Sequence, residues 1–340
     1  MSGNKILIST VVLAALLALT VFSFNKRDQE DARAPDVAVK LPKVKKDDVD
    51  EVELSTGDKP KITLKKAESG WVLTEPLKAD ADKNAVDALL SKLDEMEVLG
   101  VAATKPDNYE KLEVTAAKGV HVIAKKDGKP LTDLIIGTYR SGNTMVRESN
   151  AVNVATVKGS IKYAFDKDVN DWRDKTITQY QGDQIKTITF SNAKGTFHFV
   201  KDDKVWKQAP GDKVIPNFES GKLISLAGTA ATLHAQDFAK PDVTPDAAGV
   251  GAKPDGTVEY VLGGDAGEQT VKLRVGHKVD NGYYMMREGK DPIFIATDFG
   301  GSRMLSGPDG FVKDDASKGP VGSKNNPAVP EIVASPHGHH

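Results

Sequence analysis

Apolar and polar residues follow the same order twice along the chain. Each copy opens with two stretches of alternating apolar and polar residues on either side of a glycine-containing turn. A tryptophan (Trp71, Trp206) and a closing proline (Pro76, Pro210) follow in each copy. Period-two alternation is typical of half-buried β-strands. The pattern therefore predicts that each copy begins with a three-stranded meander, and we interpret both tryptophans as core anchors.

A stripe with helical spacing comes next. In the first copy it consists of Val86, Leu89, Leu90, Leu93 and Met96. Spacings of three and four residues place such side chains on one face of an α-helix, and Asp82 is suited to cap its start. The second copy shows Leu223, Ile224, Ala227 and Ala230, which we match in order with Leu89, Leu90, Leu93 and Met96. We therefore expect one amphipathic helix per copy.

The second half of each copy carries a strand and then a longer shared motif. The motif reads LIIGTYRSGNTMVRES over Leu134–Ser149 and VGHKVDNGYYMMREG over Val275–Gly289. An apolar run meets a glycine, crosses a polar turn and enters a second strand that ends in Arg-Glu. Asn281–Gly282 indicates a two-residue type I′ hairpin turn, and Ser141–Gly142–Asn143 takes that place in the first copy.

This repetition predicts an α+β fold. We expect a tandem duplication of one unit, in which a mostly antiparallel sheet packs against one amphipathic helix, with a single transmembrane helix ahead of both. The predicted domains are a transmembrane anchor (1–27), a tether (28–47), a first repeat unit (48–181), a second repeat unit (182–313) and a disordered tail that contains proline and histidine (314–340).

The N-terminal segment Ile6–Phe24 is uncharged and apolar. Its roughly 19 residues would extend about 28 Å as a helix, which is close to the thickness of a bilayer core. A cleaved signal peptide is the alternative, and Ala32 and Ala34 could form its cleavage site, although Pro35 follows directly. We expect an uncleaved single-pass anchor in the bacterial inner membrane, with the soluble part on the periplasmic or extracytoplasmic side.

Composition narrows the classes of function. The 340 residues include 46 Lys and Arg against 48 Asp and Glu, a net charge of -2 that argues against nucleic-acid binding. The chain contains no cysteine, which excludes disulfides, thiolate metal sites, a cysteine nucleophile and a lipidated cysteine. A hydrophobic content of 39% is enough for two packed domains.

Motifs for catalysis or ion binding are incomplete. Gly249–Gly256 has the wrong glycine spacing for a phosphate-binding loop, and Ser191–Lys194 lies in a predicted hairpin turn. Asp166–Trp172 begins like a calcium loop, yet Asp171 and Ile177 occupy the positions that need glycine and glutamate. We therefore expect no catalytic residue, cofactor or metal site, and we interpret the scattered internal histidines as structural or exposed.

Two Arg-Glu pairs are the charged feature that both copies share. They are Arg147 with Glu148 and Arg287 with Glu288. Neighbouring residues on a strand point to opposite faces of the sheet. One interpretation is an ion pair that stabilises the fold. The other is that two symmetry-related arginines mark a surface for a protein partner, and we take these four residues as candidate partner-binding residues.

Several of these segments resemble a bacterial family known as domain of unknown function 4340. They read VDEVELS, GWVLTEP, VDALLSKLDEMEV, LIIGTYRSGNTMVRE and DWRDKTI, and the resemblance covers most of Val49–Asp314. A Gly-Leu-x-x-Pro motif usual in that family survives loosely as GVGAKP in the second copy and is missing from the first. Members often occur beside ABC-type transporters of the gliding-motility kind, which implies an accessory envelope subunit and supplies no catalytic residues.

The sequence thus leads to one preferred function and two alternatives. We expect a non-enzymatic, membrane-anchored envelope protein that acts as an accessory binding or scaffold subunit, with an ABC-type transport or motility system as the candidate assembly. Its partners would be the membrane, through Ile6–Phe24, and an envelope protein. One alternative is an extracytoplasmic module that binds a small ligand, a glycan or a lipid, and the less favoured one is an envelope hydrolase.

Overall fold

The computed structural model describes residues 39–264 and 267–313. Contacts divide the chain into two compact units, Met1–Asp174 and Lys175–His340. The boundary between the two repeat units that the sequence predicts, between residues 181 and 182, falls in the segment that leads into the second sheet. The predicted anchor, Ile6–Phe24, and the predicted tail, 314–340, lie outside the described residues. Among the residues that are described, no helix is both long and apolar enough to cross a membrane.

The first unit is built on a nine-stranded antiparallel sheet. Its strands are β1 (Glu51–Thr56), β2 (Ile62–Ala67), β3 (Gly70–Glu75), β4 (Ala79–Asp80), β5 (Val98–Ala103), β6 (Val120–Lys126), β7 (Lys129–Arg140), β8 (Asn143–Glu148) and β9 (Val154–Lys158). They lie in the order β4-β3-β2-β1-β6-β7-β8-β9-β5. Its helices are α1 (Lys83–Asp94) and α2 (Tyr109–Leu112), with 3-10 turns at Lys46–Asp48, Pro106–Asn108, Lys162–Ala164 and Val169–Asp171.

Helix α1 forms where the sequence predicts it. The Asp82 carboxylate accepts a hydrogen bond of 2.7 Å from the backbone N–H of Ala85, which caps the first turn. The buried side of the helix consists of Ala85, Val86, Leu89, Leu90 and Leu93. These side chains join strand residues and Trp172 in one hydrophobic core. Burying a leucine of this kind contributes about 1.5–3 kcal/mol, so the stripe holds α1 on the sheet.

Packing of the first unit extends into residues that the sequence assigns to the tether. Val44 is buried in the same core as α1, and Val39 and Leu41 pack against that core while partly exposed. Lys45 forms an ion pair with Asp94 at the end of α1, with 3.7 Å between Nζ and Oδ1. The described part of the predicted tether is therefore attached to the first unit.

The second unit contains an eight-stranded antiparallel sheet. Its strands are β10 (Ile185–Asn192), β11 (Gly195–Asp202), β12 (Val205–Gln208), β13 (Ala235–Phe238), β14 (Gly256–Leu262), β15 (Gln269–Val279), β16 (Gly282–Arg287) and β17 (Phe294–Thr297). They lie in the order β12-β11-β10-β14-β15-β16-β17-β13. Its helices are α3 (Ser220–Ala231) and α4 (Asp298–Met304), with 3-10 turns at Gly182–Gln184 and Pro308–Phe311.

Both sheets have the same strand order apart from β4. Each begins with an antiparallel meander (β1–β3 and β10–β12), continues through four sequential strands (β6–β9 and β14–β17) and ends on the strand that follows the long helix (β5 and β13). The repeated topology matches the repeated hydrophobic pattern. The prediction of an α+β fold with mostly antiparallel sheets is confirmed.

The predicted match between the two long helices is wrong by three positions. The ends of α1 and α3 coincide when Lys83 is matched with Ser220 and Asp94 with Ala231. The buried positions of α3 are Leu223, Leu226, Ala227, Ala230 and Ala231. Ile224, expected in the stripe, is 58% exposed. A shift of three residues is nearly one helical turn, so the wrong match kept much of the periodicity while misplacing this side chain.

One glycine in each unit allows a crossing segment to approach the sheet closely. A Cβ at Gly137 would overlap the Leu112 carbonyl oxygen, and a Cβ at Gly276 would overlap the Ala248 carbonyl oxygen. Each glycine lies within an irregularity in strand pairing, between Ile136 and Tyr139 in β7 and between Val275 and Lys278 in β15. The shared motif is therefore explained by a fold requirement, because only a residue without a side chain leaves room for the crossing backbone.

The second hairpin turn differs from the prediction. Val279 pairs with Gly282, so the two turn residues are Asp280 and Asn281, and Gly282 belongs to β16. A Cβ at Gly282 would overlap the Ala296 carbonyl oxygen on the neighbouring strand. Asn281–Gly282 is therefore not the turn pair, and its glycine serves close strand packing. In the first unit Ser141 and Gly142 form the turn with positive φ values of 51° and 84°.

Candidate functional site

Arg147 lies on the side of the first sheet that α2 covers. It is 9% exposed. Its side chain donates hydrogen bonds to three carbonyl oxygens at good distances, Val114 at 3.1 Å, Ser149 at 2.8 Å and Ala151 at 3.0 Å. The guanidinium also lies 4.5 Å from the centre of the Tyr109 ring. Arg147 therefore ties the α2 segment and the turn after β8 to the sheet.

A small apolar cluster surrounds this arginine on the α2 side. Its members are Ala103, Leu112, Val114, Ile135, Met145 and Val154, with Tyr109 packed against them. The Tyr109 hydroxyl donates a hydrogen bond of 2.6 Å to the Val152 carbonyl oxygen. The cluster fixes β5, β8, β9 and the residues around α2 relative to one another.

Arg287 occupies a different environment in the second unit. Its Nη2 donates a hydrogen bond of 2.6 Å to the Tyr180 hydroxyl, and its Nη1 donates one of 3.3 Å to the Ile177 carbonyl oxygen. Arg287 pairs with Leu273, whose side chain lies in the main core of the second unit. The guanidinium of Arg287 thus approaches the segment 177–180 on the core side of its sheet.

The two Arg-Glu pairs are out of register by one residue. In the first sheet Ile136 pairs with Val146, and in the second sheet Val275 pairs with Met285, directly before Gly137 and Gly276 respectively. Met286, rather than Arg287, thereby corresponds to Arg147. A shift of one residue on a strand moves a side chain to the other face. The expectation that the two arginines are symmetry-related is wrong.

The glutamates do not form ion pairs with the arginines next to them. Glu148 pairs with Leu134 on the core side of β8 and is partly exposed. Glu288 accepts a hydrogen bond of 3.2 Å from Nη2 of Arg274, which also donates one of 3.3 Å to the Gly251 carbonyl oxygen through Nη1. Arg147 and Arg287 thus both have contacts within the fold. A partner-binding role for these two arginines and their neighbouring glutamates stays a prediction.

Cationic side chains contact the oxygen atoms of the segment Asp166–Trp172, which begins like a calcium loop. Lys59 Nζ lies 3.1 Å from Asp166 Oδ1 and 3.2 Å from Asp168 Oδ1. Arg173 Nη1 donates a hydrogen bond of 3.0 Å to Asn170 Oδ1. Within residues 39–264 and 267–313, no group of three His, Cys, Asp or Glu side chains is arranged to hold a metal ion.

Three of the internal histidines contact an aspartate. The distances are 2.6 Å for His121 with Asp133, 2.9 Å for His198 with Asp212 and 2.7 Å for His277 with Asp255. Hydrogen bonds from the His198 side chain and backbone hold the pKa of the Asp212 carboxyl below its usual value. No serine hydroxyl hydrogen-bonds to these histidines among the described residues, so the pairs lack the nucleophile of a hydrolase triad.

Lys125 lies at the centre of an ionic network on β1, β2 and β6. Its Nζ is 2.9 Å from Glu51 and 2.8 Å from Glu53. Lys65, with help from Lys125, holds the pKa of Glu51 below its usual value. Lys125, with help from Lys61, does the same for the pKa of Glu53. The network ties the three strands together at one face of the first sheet.

Strand β5 is an edge of the first sheet without a charged residue. Its sequence, VLGVAA, carries no charge, whereas the other three edge strands, β4, β12 and β13, each contain a charged residue, Asp80, Lys207 and Asp237. Leu99 is 52% and Val101 37% exposed. β5 pairs with β9 on one side and with no other strand in the described part of the chain. The sequence alone does not single out β5, because an uncharged run of six residues looks the same at an edge as inside a sheet.

Comparison with known proteins places the chain in a family. A family model described as "Domain of unknown function (DUF4340)" matches residues 71–248. No curated protein and no solved structure matches the chain. The match spans most of the first unit and the first part of the second. Because it covers more than half of the sequence, the chain belongs to the DUF4340 family.

Proposed function

We propose that the protein is a non-enzymatic, membrane-anchored accessory or scaffold subunit of the bacterial cell envelope. Ile6–Phe24 would anchor it in the inner membrane with both units on the extracytoplasmic side, because this segment is apolar and long enough for one span. The first unit would bind a partner protein along β5. An uncharged and exposed sheet edge is the observation that carries this proposal.

Edge strands offer unpaired backbone N–H and C=O groups to any extended chain. Natural proteins usually make such edges short or place charged residues on them, and β4, β12 and β13 follow this rule. β5 is longer than these three and carries no charge, and two irregularities, after Val98 and after Val101, interrupt its pairing with β9. An apolar edge strand without charged residues, such as β5, is therefore suited to strand addition by a partner.

The chemistry of β5 specifies the partner segment. It would be extended and uncharged, with apolar side chains that pack on Leu99 and Val101. Backbone hydrogen bonds would supply most of the binding energy, and alternate side chains would supply specificity. We take an envelope protein of an ABC-type transport or motility system as the first candidate, on the basis of the family resemblance.

Copurification of the full-length protein from its own membranes tests this proposal. Val101→Lys places a charge on the edge and should abolish recovery of the partner while leaving the unfolding temperature unchanged. Val214→Lys, at an exposed valine of the second unit, is the matched control and should retain the partner. Equal partner recovery with both variants would refute a role for β5.

A further inference from the structure

A polar cleft in the second unit lies between α3, α4 and the turn Pro308–Phe311. Its volume is about 410 Å³. The polar residues that line it are Lys222, Ser225, Ser302, Arg303, Ser306 and Asp309. The cleft is separate from β5, which belongs to the first unit.

Arg303 is fixed in the wall of this cleft. Its Nε donates a hydrogen bond of 3.1 Å to the Thr229 hydroxyl, and its Nη2 donates one of 2.6 Å to the Ser225 hydroxyl. The guanidinium also lies 4.9 Å from the centre of the exposed Phe299 ring. These contacts hold the plane of the guanidinium in one orientation, and Nη1 has no hydrogen-bond partner among the described residues.

The charge of Arg303 lacks a counter-ion within the described residues. Its side-chain hydrogen bonds go to neutral hydroxyl groups, and Asp309, which also lines the cleft, forms no ion pair with it there. Burial lowers the pKa of Arg303 from its usual value because water is partly excluded from the charged group. A partly desolvated cation without a carboxylate is stabilised by an anion that enters the site.

Other donors face the same cleft. Lys222 also lines it. The Ser225 hydroxyl accepts from Arg303, so its own hydrogen remains available to an acceptor in the cleft. The Ser306 hydroxyl instead donates to the Arg303 carbonyl oxygen at 2.7 Å and steadies the end of α4. Nη1 of Arg303 and the Ser225 hydroxyl together offer donors to one anion.

We propose that this cleft binds a phosphate group through Arg303 and Ser225. A phosphate presents several acceptor oxygens, and a guanidinium held in one plane matches their geometry. The cleft volume leaves room for a small organic group beside the phosphate. Leu226 supplies apolar surface in the cleft wall. The phosphate belongs either to a small phosphate ester or to a lipid headgroup.

The test uses the full-length protein in an uncharged detergent. Binding of sn-glycerol 3-phosphate and of dioctanoyl phosphatidylglycerol is measured by calorimetry and by the shift in unfolding temperature, with dioctanoylglycerol as the phosphate-free control. Saturable binding of the first probe identifies a small ester as the ligand class. Binding of the second probe alone identifies a lipid headgroup. Absence of binding by both probes at concentrations up to about 10 mM, which covers weak sites, overturns the proposal.

Variants assign the binding to the cleft. Arg303→Gln should weaken binding about tenfold, since one charge-assisted contact is lost. Ser302→Asp places a negative charge at an exposed position of the cleft and should weaken binding by a similar factor even if Arg303→Gln fails to fold. Arg274→Gln, which removes a cation from β15 outside the cleft, is the control and should bind as the unmodified protein does. Unchanged binding in Ser302→Asp would overturn the assignment. The outcome does not depend on β5 or on a protein partner.

Discussion

Replacing Arg147 by methionine tests whether this arginine stabilises the first unit. Methionine keeps much of the side-chain volume and is the residue found at the corresponding position, Met286, of the second unit. The change removes the donors that bind the carbonyl oxygens of Val114, Ser149 and Ala151. We expect the first unit to lose stability while the second unit keeps its own.

The magnitude follows from the contacts of Arg147. An unsatisfied buried carbonyl costs about 1–3 kcal/mol, and water can reach two of the three acceptors in part, because those contacts are only partly buried. Loss of the contact with the Tyr109 ring adds about 0.5–2 kcal/mol. Removing a desolvated charge offsets some of this loss. The net decrease in the free energy of unfolding should be about 2–4 kcal/mol.

Urea unfolding followed by tryptophan fluorescence can measure this change. Trp71 and Trp172 belong to the first unit and Trp206 to the second. A Trp206→Phe background therefore makes the fluorescence report on the first unit. Arg140→Met, at an exposed arginine of the β7–β8 hairpin, is the matched control.

The result that refutes the reasoning is a loss below about 0.5 kcal/mol for Arg147→Met, which is the range of ordinary surface substitutions. Arg147 would then be free to act as a contact residue. A loss of several kcal/mol with little change in Arg140→Met assigns Arg147 to the fold.

Two further predictions concern stability. Leu226→Ala should lower the free energy of unfolding of the second unit by about 2–4 kcal/mol, whereas Ile224→Ala should change it by less than about 0.5 kcal/mol, as thermal unfolding can show. Lys125→Met should lower the stability of the first unit by about 1–2 kcal/mol above pH 6, since it breaks two ion pairs. The pKa values of Glu51 and Glu53 are lowered from 4.5, so this contribution is present above pH 4.5 and is lost as the pH falls below it. A difference between Lys125→Met and the unmodified protein that stays constant down to pH 3 would contradict this assignment.

Local pattern was enough to predict much of the fold. The alternating strands, the capped helix α1 and the repeated order of elements follow from short-range rules, and Asp82 caps α1 as expected. The register between the two copies does not follow from such rules. Matching by residue identity aligned Arg147 with Arg287, while strand pairing aligns Arg147 with Met286. Hydrogen bonding between strands decides register, and identity at one position does not reveal it.

The candidate site was harder to predict for a related reason. Charged residues attract attention in a sequence, yet Arg147 turns inward because nearby carbonyl oxygens need donors. The sequence of β5 attracts no attention, because a short apolar run looks the same whether it lies inside a sheet or at its edge. Exposure of Leu99 and Val101 becomes visible only when the strand order is known. Position in the sheet therefore distinguishes an edge strand from a core strand.

Site-specific photocrosslinking in the native membranes tests the central claim most directly. A photoreactive amino acid is introduced at Leu99 on β5 and, in a separate variant of the full-length protein, at the exposed Val214 of the second unit. The account predicts a discrete crosslinked envelope protein from position 99 and none from position 214. Crosslinks of equal yield and identity from both positions, or none from position 99, would contradict binding at β5.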